Sequence, residues 1–224
     1  MYSSTTLDIR GHRGNAVPNT FFAQDSETHH LAFVFPRLGY TAHMMPVLYY
    51  PRLLLERGAD VLLVEYDYRE QANLRMPRNP ERNRWFFDDV AAACEAGLGQ
   101  LPYSGVTLVG KSLGTLAMGY LLTENTRLAQ AQCVWLTPLL RNDRLRAQMR
   151  RARGHSLFVI GTADGHYDPA YLDEVRLASG GESVMIQGAD HSLEIEGDTV
   201  GSIRAVEQTV RAIQRFLDLG AGKF

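Results

Sequence analysis

The stretch from Gly105 to Gly114, GVTLVGKSLG, constrains the fold more than any other part of the chain. Its first half is apolar and rich in β-branched residues, which favours a buried strand. Glycines stand two positions before and two positions after Ser112, and they permit a sharp, strained turn at that residue. The segment LGTLAMGYLLTEN that follows has the length and composition of a helix. The stretch therefore predicts a strand, a tight turn and a helix in direct succession.

Two sequence patterns with different chemistries overlap in this stretch. Counted from Gly105 it reads G-x-x-x-x-G-K-S, which is the pattern of a phosphate-binding P-loop. Counted from Gly110 it reads G-x-S-x-G, the nucleophile elbow of serine hydrolases. A P-loop needs its strand before the first glycine, whereas here the strand-like residues lie between the glycines and a turn-like LPYSG precedes them. The elbow is favoured, a P-loop nucleotidase is the remote alternative, and Lys111 is expected to be a solvent-facing residue of the elbow.

The composition is that of an ordinary globular chain. A length of 224 residues with 45% apolar side chains suits one α/β domain over residues 1–224. The formal charge of -2 argues against nucleic-acid binding through a global positive field. No stretch approaches the roughly 20 apolar residues of a membrane span, and the N-terminus has no signal-peptide core. We therefore expect a cytoplasmic protein with no membrane partner.

Three groups of residues could suggest other functions. Cys94 and Cys133 lie in a helix-like and a strand-like segment, so buried free thiols are expected rather than a disulfide or metal site. His29 and His30 are adjacent in a polar segment and are expected to be solvated. The arginines from Arg141 to Arg153 share one predicted helix and are more typical of a solvated face than of a nucleic-acid site. The sequence thus predicts no metal, no cofactor and no nucleic-acid partner, and it leaves the oligomeric state open.

Strand-like and helix-like segments alternate along the chain. This alternation predicts a doubly wound, mostly parallel sheet with helices on both faces. The segments TTLDIRG and VPNTFFA are expected to form an N-terminal antiparallel hairpin, and HLAFVFP at 30–36 is the first buried strand. The further predicted strands span 60–67, 105–109, 131–138, 155–162 and 182–188, and the predicted helices span 46–57, 80–98, 113–125, 142–153, 169–179 and 200–217.

An elbow serine needs a base to take its proton, and that base needs a carboxylate to orient it. Asp164 follows the strand HSLFVIGT, and His191 follows the strand ESVMIQG. Both stand at carboxyl ends of predicted strands, where α/β sheets place their sites. Asp168 is the competing acid, although its position before Pro169 is also typical of a helix cap, so Asp164 is preferred. Asp190 is expected to stabilise the histidine loop.

The chain resembles the α/β-hydrolase superfamily from about Thr6 to Leu217, through the order Ser112, Asp164, His191 and the pieces GKSLG, GTAD and GADHSLE. The resemblance implies that a small-molecule carboxylic ester, thioester or lactone is cleaved through an acyl-enzyme on Ser112. His191 would be the general base and Asp164 would orient it. Only about one helix fits between the strand at 131–138 and Asp164, where lipases insert a lid domain. A compact hydrolase without a lid is therefore expected.

The resemblance extends to FPRLGYTAH, which corresponds to the family loop that supplies one oxyanion-hole N–H group. By position, the two donors would be the backbone N–H groups of Leu38 and Leu113. Pro36 and Arg37 stand where the family usually has His and Gly. This departure leaves open a second interpretation, a hydrolase fold that has become a binding protein with weak or no activity. The candidates for contact with the substrate in this loop are Arg37, Tyr40 and His43.

Overall fold

A computed structural model describes residues 1–37, 49–65 and 80–220 of the chain. Eight strands and six α-helices lie within these ranges. The strands are β1 (Tyr2–Thr5), β2 (Asn19–Gln24), β3 (His30–Phe35), β4 (Asp60–Val64), β5 (Gly105–Lys111), β6 (Gln132–Leu136), β7 (Ser156–Gly161) and β8 (Glu182–Ile186). The helices are α1 (Tyr49–Glu56), α2 (Pro80–Leu98), α3 (Leu113–Glu124), α4 (Asp143–Met149), α5 (Pro169–Ser179) and α6 (Thr199–Gly220).

The strands form one sheet in the order β1-β2-β4-β3-β5-β6-β7-β8. The pairs β1–β2 and β2–β4 are antiparallel, and every pair from β4 through β3 to β8 is parallel. The predicted doubly wound, mostly parallel sheet is therefore confirmed. Because the strands from β3 to β8 run in the same direction, their carboxyl ends meet at one edge, and the loops that leave them are brought together there.

The predicted N-terminal hairpin is present but begins earlier than expected. The first strand ends at Thr5, whereas the sequence placed it from Thr5 onward. The side chain of Asn19 accepts a hydrogen bond from the Leu7 N–H (3.0 Å) and donates one to the Leu7 carbonyl (2.9 Å). These bonds replace ladder bonds at Leu7, and an isolated bridge between Arg10 and Ala16 follows. The Asn19 side chain therefore makes the hydrogen bonds to Leu7 that the prediction assigned to a strand.

Two apolar layers cover the sheet, one on each face. Along β3, the side chains of Leu31 and Phe33 belong to one layer and those of Ala32 and Val34 to the other. This alternation explains the uninterrupted apolar sequence of the strand, since both of its faces are buried. Buried residues of α2, α3, α4 and α5 contribute to the first layer, and those of α1 and α6 contribute to the second.

The other predicted elements agree with the structure apart from their ends. The expected helix start at residue 46 and the last residues of the strand expected at 60–67 lie outside the described residues. The final helix is α6, which runs to Gly220, beyond the expected end at Leu217. No helix in the three described ranges combines the length and the apolar character that a membrane span requires.

Strand β5 includes all the residues that a P-loop would need as an open loop. Residues 106–109 pair with β3 on one side, and residues 107–111 pair with β6 on the other. Their backbone N–H groups are therefore committed to the sheet and cannot surround a phosphate. This excludes the P-loop alternative and leaves the strand, turn and helix that the elbow requires.

Helix α3 begins in close contact with the sheet, and two glycines make this contact possible. A Cβ atom on Gly114 would lie 2.7 Å from the carbonyl carbon of Phe35 and closer still to its oxygen. A Cβ atom on Gly110 would lie 2.6 Å from the Gly114 carbonyl oxygen and would also overlap Met118. No side chain larger than hydrogen fits at either position. The end of β5 and the first turn of α3 therefore pack directly against the end of β3.

We expect Gly114→Ala to lower the free energy of unfolding by about 2 kcal/mol or more, because overpacking against the Phe35 backbone forces α3 to move. Gly165→Ala is the matched control, since a Cβ atom there meets nothing within 4 Å. The control should stay within about 0.5 kcal/mol of the parent. Urea unfolding followed by circular dichroism measures both variants. Equal unfolding midpoints would contradict the tight packing described above.

Candidate active site

Ser112 occupies the turn between β5 and α3 in a backbone conformation that is rare for a residue with a side chain. Its φ of 54° and ψ of -111° lie in the positive-φ half of conformational space. The turn is held by hydrogen bonds from the Ser112 N–H to the Leu136 carbonyl (3.0 Å) and from the Thr115 hydroxyl to the Ser112 carbonyl (2.6 Å). This is the strained strand-to-helix turn that presents a nucleophile at the edge of a sheet.

The side chains of Ser112, His191 and Asp164 are linked by hydrogen bonds in series. The Ser112 Oγ lies 2.8 Å from His191 Nε2, and His191 Nδ1 lies 2.8 Å from Asp164 Oδ2. An ionised carboxylate only accepts hydrogen bonds, so Nδ1 carries the proton and the lone pair of Nε2 faces the serine hydroxyl. Three residues from separate loops, predicted from their order in the sequence, therefore come together in one geometry suited to proton transfer from the hydroxyl.

Asp164 is the buried end of this series. Its side chain is fully shielded from solvent, and its Oδ1 accepts a second hydrogen bond from the His166 N–H (2.8 Å). Burial by itself raises the pKa of the carboxyl group. The hydrogen bonds from His191 and His166 and the charges of these histidines outweigh burial and hold the pKa of Asp164 below its usual value. The carboxylate is consequently ionised at neutral pH and available to orient His191.

The competing acid has a different role in the structure. Asp168 caps helix α5, with its Oδ1 accepting a hydrogen bond from the Ala170 N–H (2.9 Å). Asp190 accepts hydrogen bonds from the backbone of its own loop, including one from the Ser192 N–H (2.7 Å). The structure thus brings Asp164 to His191 and uses Asp168 and Asp190 to stabilise a helix end and a loop.

One of the two expected oxyanion donors lies among the described residues. Leu113 is the first residue of α3, and the N–H groups of a first helical turn have no partner within their helix. The positive end of the helix dipole lies at the same place and favours a developing negative charge. Leu38, the other expected donor, lies outside the described residues, so its role stays a prediction.

Arg37 is the one candidate substrate contact that the structure describes. Its Nη1 donates a hydrogen bond to the hydroxyl of Ser192 (3.2 Å), the residue after His191. The segment that follows β3 therefore contacts the histidine loop, beside the hydrogen-bonded series of Ser112, His191 and Asp164. Tyr40 and His43 lie outside the described residues, and contact of these three residues with a substrate stays a prediction.

Lys111 corrects an expectation from the sequence. It was expected to face solvent, but it is only 2% exposed. Its Nζ donates hydrogen bonds to the hydroxyl of Thr137 (3.1 Å) and to the backbone carbonyl of His191 (3.0 Å). Lys111 ends a central strand that is covered on both faces, so its side chain has no direct route to water. The one signal in the sequence was this position at the end of a buried strand.

The cysteines and histidines outside the site were predicted with mixed success. Cys94 and Cys133 are buried and free, as predicted, and burial raises the pKa of the Cys94 thiol to about 12. His29 is exposed, as expected, but His30 is buried, with its Nε2 2.8 Å from the Thr107 hydroxyl. Burial lowers the pKa of His30 to about 4. These side chains have structural positions away from the carboxyl edge of the sheet.

The arginine-rich segment is less solvated than the sequence suggested. Arg146 is bonded to Glu174 of α5, with Nε and Oε2 3.1 Å apart, and its guanidinium lies 3.8 Å from the centre of the Tyr171 ring. Arg150 pairs with the same Glu174. Part of the basic face therefore attaches α4 to α5. The absence of a nucleic-acid partner stays a prediction.

The chain matches the family described as "Alpha/beta hydrolase domain" over residues 43–218, which is well over half of its length. The chain belongs to the α/β-hydrolase family. This agrees with the resemblance seen in the sequence and with the mostly parallel sheet. The comparison with curated proteins found no match.

Solved structures share the fold of this hydrolase at low sequence identity. An esterase of Pyrococcus furiosus is similar with a TM-score of 0.73 and 11% identity, over 98% of this chain and 93% of its own. A serine hydrolase without a lid from Xanthomonas campestris has a TM-score of 0.68 and 18% identity, over 96% and 94% of the two chains. Est1E from Butyrivibrio proteoclasticus, with ferulic acid bound, has a TM-score of 0.67 and 11% identity, over 98% of each chain. At these identities the likeness shows a common fold.

The expected absence of a lid is confirmed for the segment in which the family inserts one. Between β6 and Asp164 the hydrolase contains helix α4 and strand β7, and every residue of this segment is described. The connection from β6 to β7 is therefore a single helical crossover of the kind that joins neighbouring parallel strands.

The lowered pKa of Asp164 makes stability depend on pH. A depressed carboxyl pKa stabilises the folded state above the ordinary value of 3.8, and this contribution is lost as the pH falls through the folded pKa. We expect Asp164→Asn to be less stable than the parent at about pH 6 and the difference to shrink towards about pH 3. Urea unfolding at the two pH values measures it. A difference that is the same at both pH values would contradict the lowered pKa.

Proposed function

We propose that this α/β hydrolase cleaves a small carboxylic ester, thioester or lactone through an acyl-enzyme on Ser112. The observation that carries the proposal is the pair of 2.8 Å hydrogen bonds from Ser112 through His191 to Asp164. A serine hydroxyl becomes a nucleophile when a base takes its proton during attack. The series of bonds supplies such a base and a carboxylate that orients it and stabilises its charged form.

In the acylation step, Ser112 Oγ attacks the carbonyl carbon of the substrate while His191 Nε2 takes the hydroxyl proton. The carbonyl π electrons move to the carbonyl oxygen and form a tetrahedral oxyanion. When the carbonyl reforms, the bond to the alkoxide or thiolate breaks, and His191 returns its proton to that leaving group. Asp164 remains ionised throughout and stabilises the imidazolium that exists between the two proton transfers.

The oxyanion is proposed to be stabilised by the N–H groups of Leu113 and Leu38. The position of Leu113 at the start of α3 supports its share of this role. Water then attacks the acyl-enzyme, His191 takes a proton from the water, and the acid leaves as Ser112 Oγ regains its proton. Losing one such donor typically costs about a hundredfold or more in rate.

The proposed substrate class rests on the site and on the fold neighbours. The connection from β6 to Asp164 has no inserted domain to cover the site, which suits substrates that enter directly from water. The similar proteins include an esterase, which is a precedent for ester cleavage on this fold, and a protein with ferulic acid, a carboxylic acid, bound. Fold and nucleophile do not decide the leaving group, so esters, thioesters and lactones all belong to the proposed class.

We expect stoichiometric labelling of the parent by a fluorophosphonate probe and hydrolysis of p-nitrophenyl acetate. Ser112→Ala and His191→Ala should abolish labelling, because the first removes the nucleophile and the second removes its base. Asp164→Asn should lower kcat by roughly a thousandfold or more, since it upsets the histidine tautomer. Intact mass measures the labelling and absorbance measures the hydrolysis.

Asp168→Asn is the matched control for Asp164→Asn. Asparagine retains the capping oxygen at the start of α5, so this variant should hydrolyse the ester at the parental rate. A parent protein that neither takes up the probe nor turns over esters would contradict the proposal. That outcome, combined with ligand binding that survives Ser112→Ala, would favour the binding-protein interpretation.

A further inference from the structure

Lys111 connects three parts of the site at one amine. It directly precedes Ser112, and its Nζ donates to the Thr137 hydroxyl just after β6 and to the backbone carbonyl of His191. The elbow, the end of β6 and the loop that carries the histidine therefore meet at this side chain. The hydrogen bond to His191 acts on the main chain of the residue whose ring bonds to Ser112 Oγ at 2.8 Å.

A lysine is an unfavourable residue to bury at this place. Burial, together with the positive charge of Arg37 in the segment after β3, lowers the pKa of Lys111 to about 8. The carboxylates that oppose this shift are Asp164 after β7 and Asp190 and Glu194 in the histidine loop. An apolar side chain of similar length would fill the same space without the desolvation cost. A costly buried amine beside a strained turn indicates a role in the site rather than in packing.

The loop of His191 needs support that the ring itself does not supply. The loop includes Leu193 at a φ of 68°, a conformation that residues with side chains rarely adopt. Within the loop, the Asp190 carboxylate accepts a hydrogen bond from the Ser192 N–H. From outside the loop, Arg37 donates a hydrogen bond to the Ser192 hydroxyl. Lys111 adds the link between this loop and the strand that carries the nucleophile.

We propose that Lys111 is a positioning residue that holds His191 Nε2 at hydrogen-bonding distance from Ser112 Oγ through its bond to the His191 carbonyl. The inference rests on the proposed serine-hydrolase function. Loss of Lys111 would misplace the base, because its bond to the His191 carbonyl is lost. Substrate binding would stay intact, because Lys111 does not touch the reacting atoms. A small misplacement of a catalytic group can cost up to about a hundredfold in rate.

The test compares Lys111→Met, which matches the length of lysine but cannot donate, with Lys111→Gln, which retains N–H donors. We expect Lys111→Met to lower both kcat on p-nitrophenyl acetate and the rate of fluorophosphonate labelling by about tenfold to a hundredfold. KM should stay within about twofold of the parent, and Lys111→Gln should recover part of the lost rate. Labelling stoichiometry gives the active fraction, and melting curves show whether each variant is folded.

Arg57→Met is the matched control at the opposite edge of the sheet. Arg57 is also a cation that donates to backbone carbonyls, those of Leu53 (3.1 Å) and Gln214 (3.2 Å), but it lies before β4. Its replacement should change the melting temperature and leave kcat at the parental value. This control separates the loss of a structural cation from the loss of one that positions the base.

Folded Lys111 variants with parental kcat and labelling rate would overturn the inference while leaving the proposed function intact. Failure of both variants to melt cooperatively would assign Lys111 to folding and would also overturn it. A parent protein that is not labelled would remove the proposed function, a result visible before any Lys111 variant is made. A fall in kcat with unchanged KM and partial recovery in Lys111→Gln supports the inference.

Discussion

The site depends on one steric constraint, the close approach of the start of α3 to the ends of β5 and β3. Ser112 adopts a positive φ there, which costs on the order of 1–3 kcal/mol for a residue with a side chain. The surrounding packing compensates for that strain, since Gly110 and Gly114 admit no larger side chain and Phe35 lies directly against the turn. The serine hydroxyl is therefore fixed by the packing of the core beneath it.

The parallel sheet brings the other residues of the site to the turn at Ser112. Loops that leave β3, β5, β6, β7 and β8 emerge at the same edge, and they carry Arg37, Ser112, Thr137, Asp164 and His191, respectively. These residues are far apart in the sequence, but the hydrogen bonds between adjacent strands hold the ends of the strands in register. The distances of 2.8 Å between Ser112, His191 and Asp164 follow from that register and from the loops that leave it.

Backbone strain is concentrated at this edge of the sheet. Of the four non-glycine residues with positive φ in the described parts of the chain, Ser112, Thr137 and Leu193 belong to the elbow, its supporting turn and the histidine loop. Lys111 and Asp164 are buried and hydrogen-bonded in the same region, whereas the faces of the sheet are packed with apolar side chains. Such costly features persist where the surrounding structure holds them, and they are typical of functional sites.

The sequence alone determined the features that depend on local chemistry. Strand β5, the turn at Ser112 and helix α3 follow from neighbouring residues, and Asp164 and His191 could be selected because each follows a recognisable strand. The doubly wound sheet followed from the alternation of apolar segments. The positions of polar side chains in the sheet did not follow from that alternation. The sequence predicted that Lys111 and His30 face solvent, whereas both are buried.

Only the tertiary structure decided which polar groups are buried and what they contact. Lys111 is buried because β6 and the histidine loop close over it, and His30 is buried because Thr107 of the adjacent strand lies beside it. The tertiary structure likewise decides between Asp164 and Asp168, because the Asp164 carboxylate lies 2.8 Å from His191 Nδ1 whereas Asp168 bonds to the backbone of α5. Burial and hydrogen bonding of this kind arise from contacts between segments that are distant in the chain. A pattern of neighbouring residues therefore does not predict them.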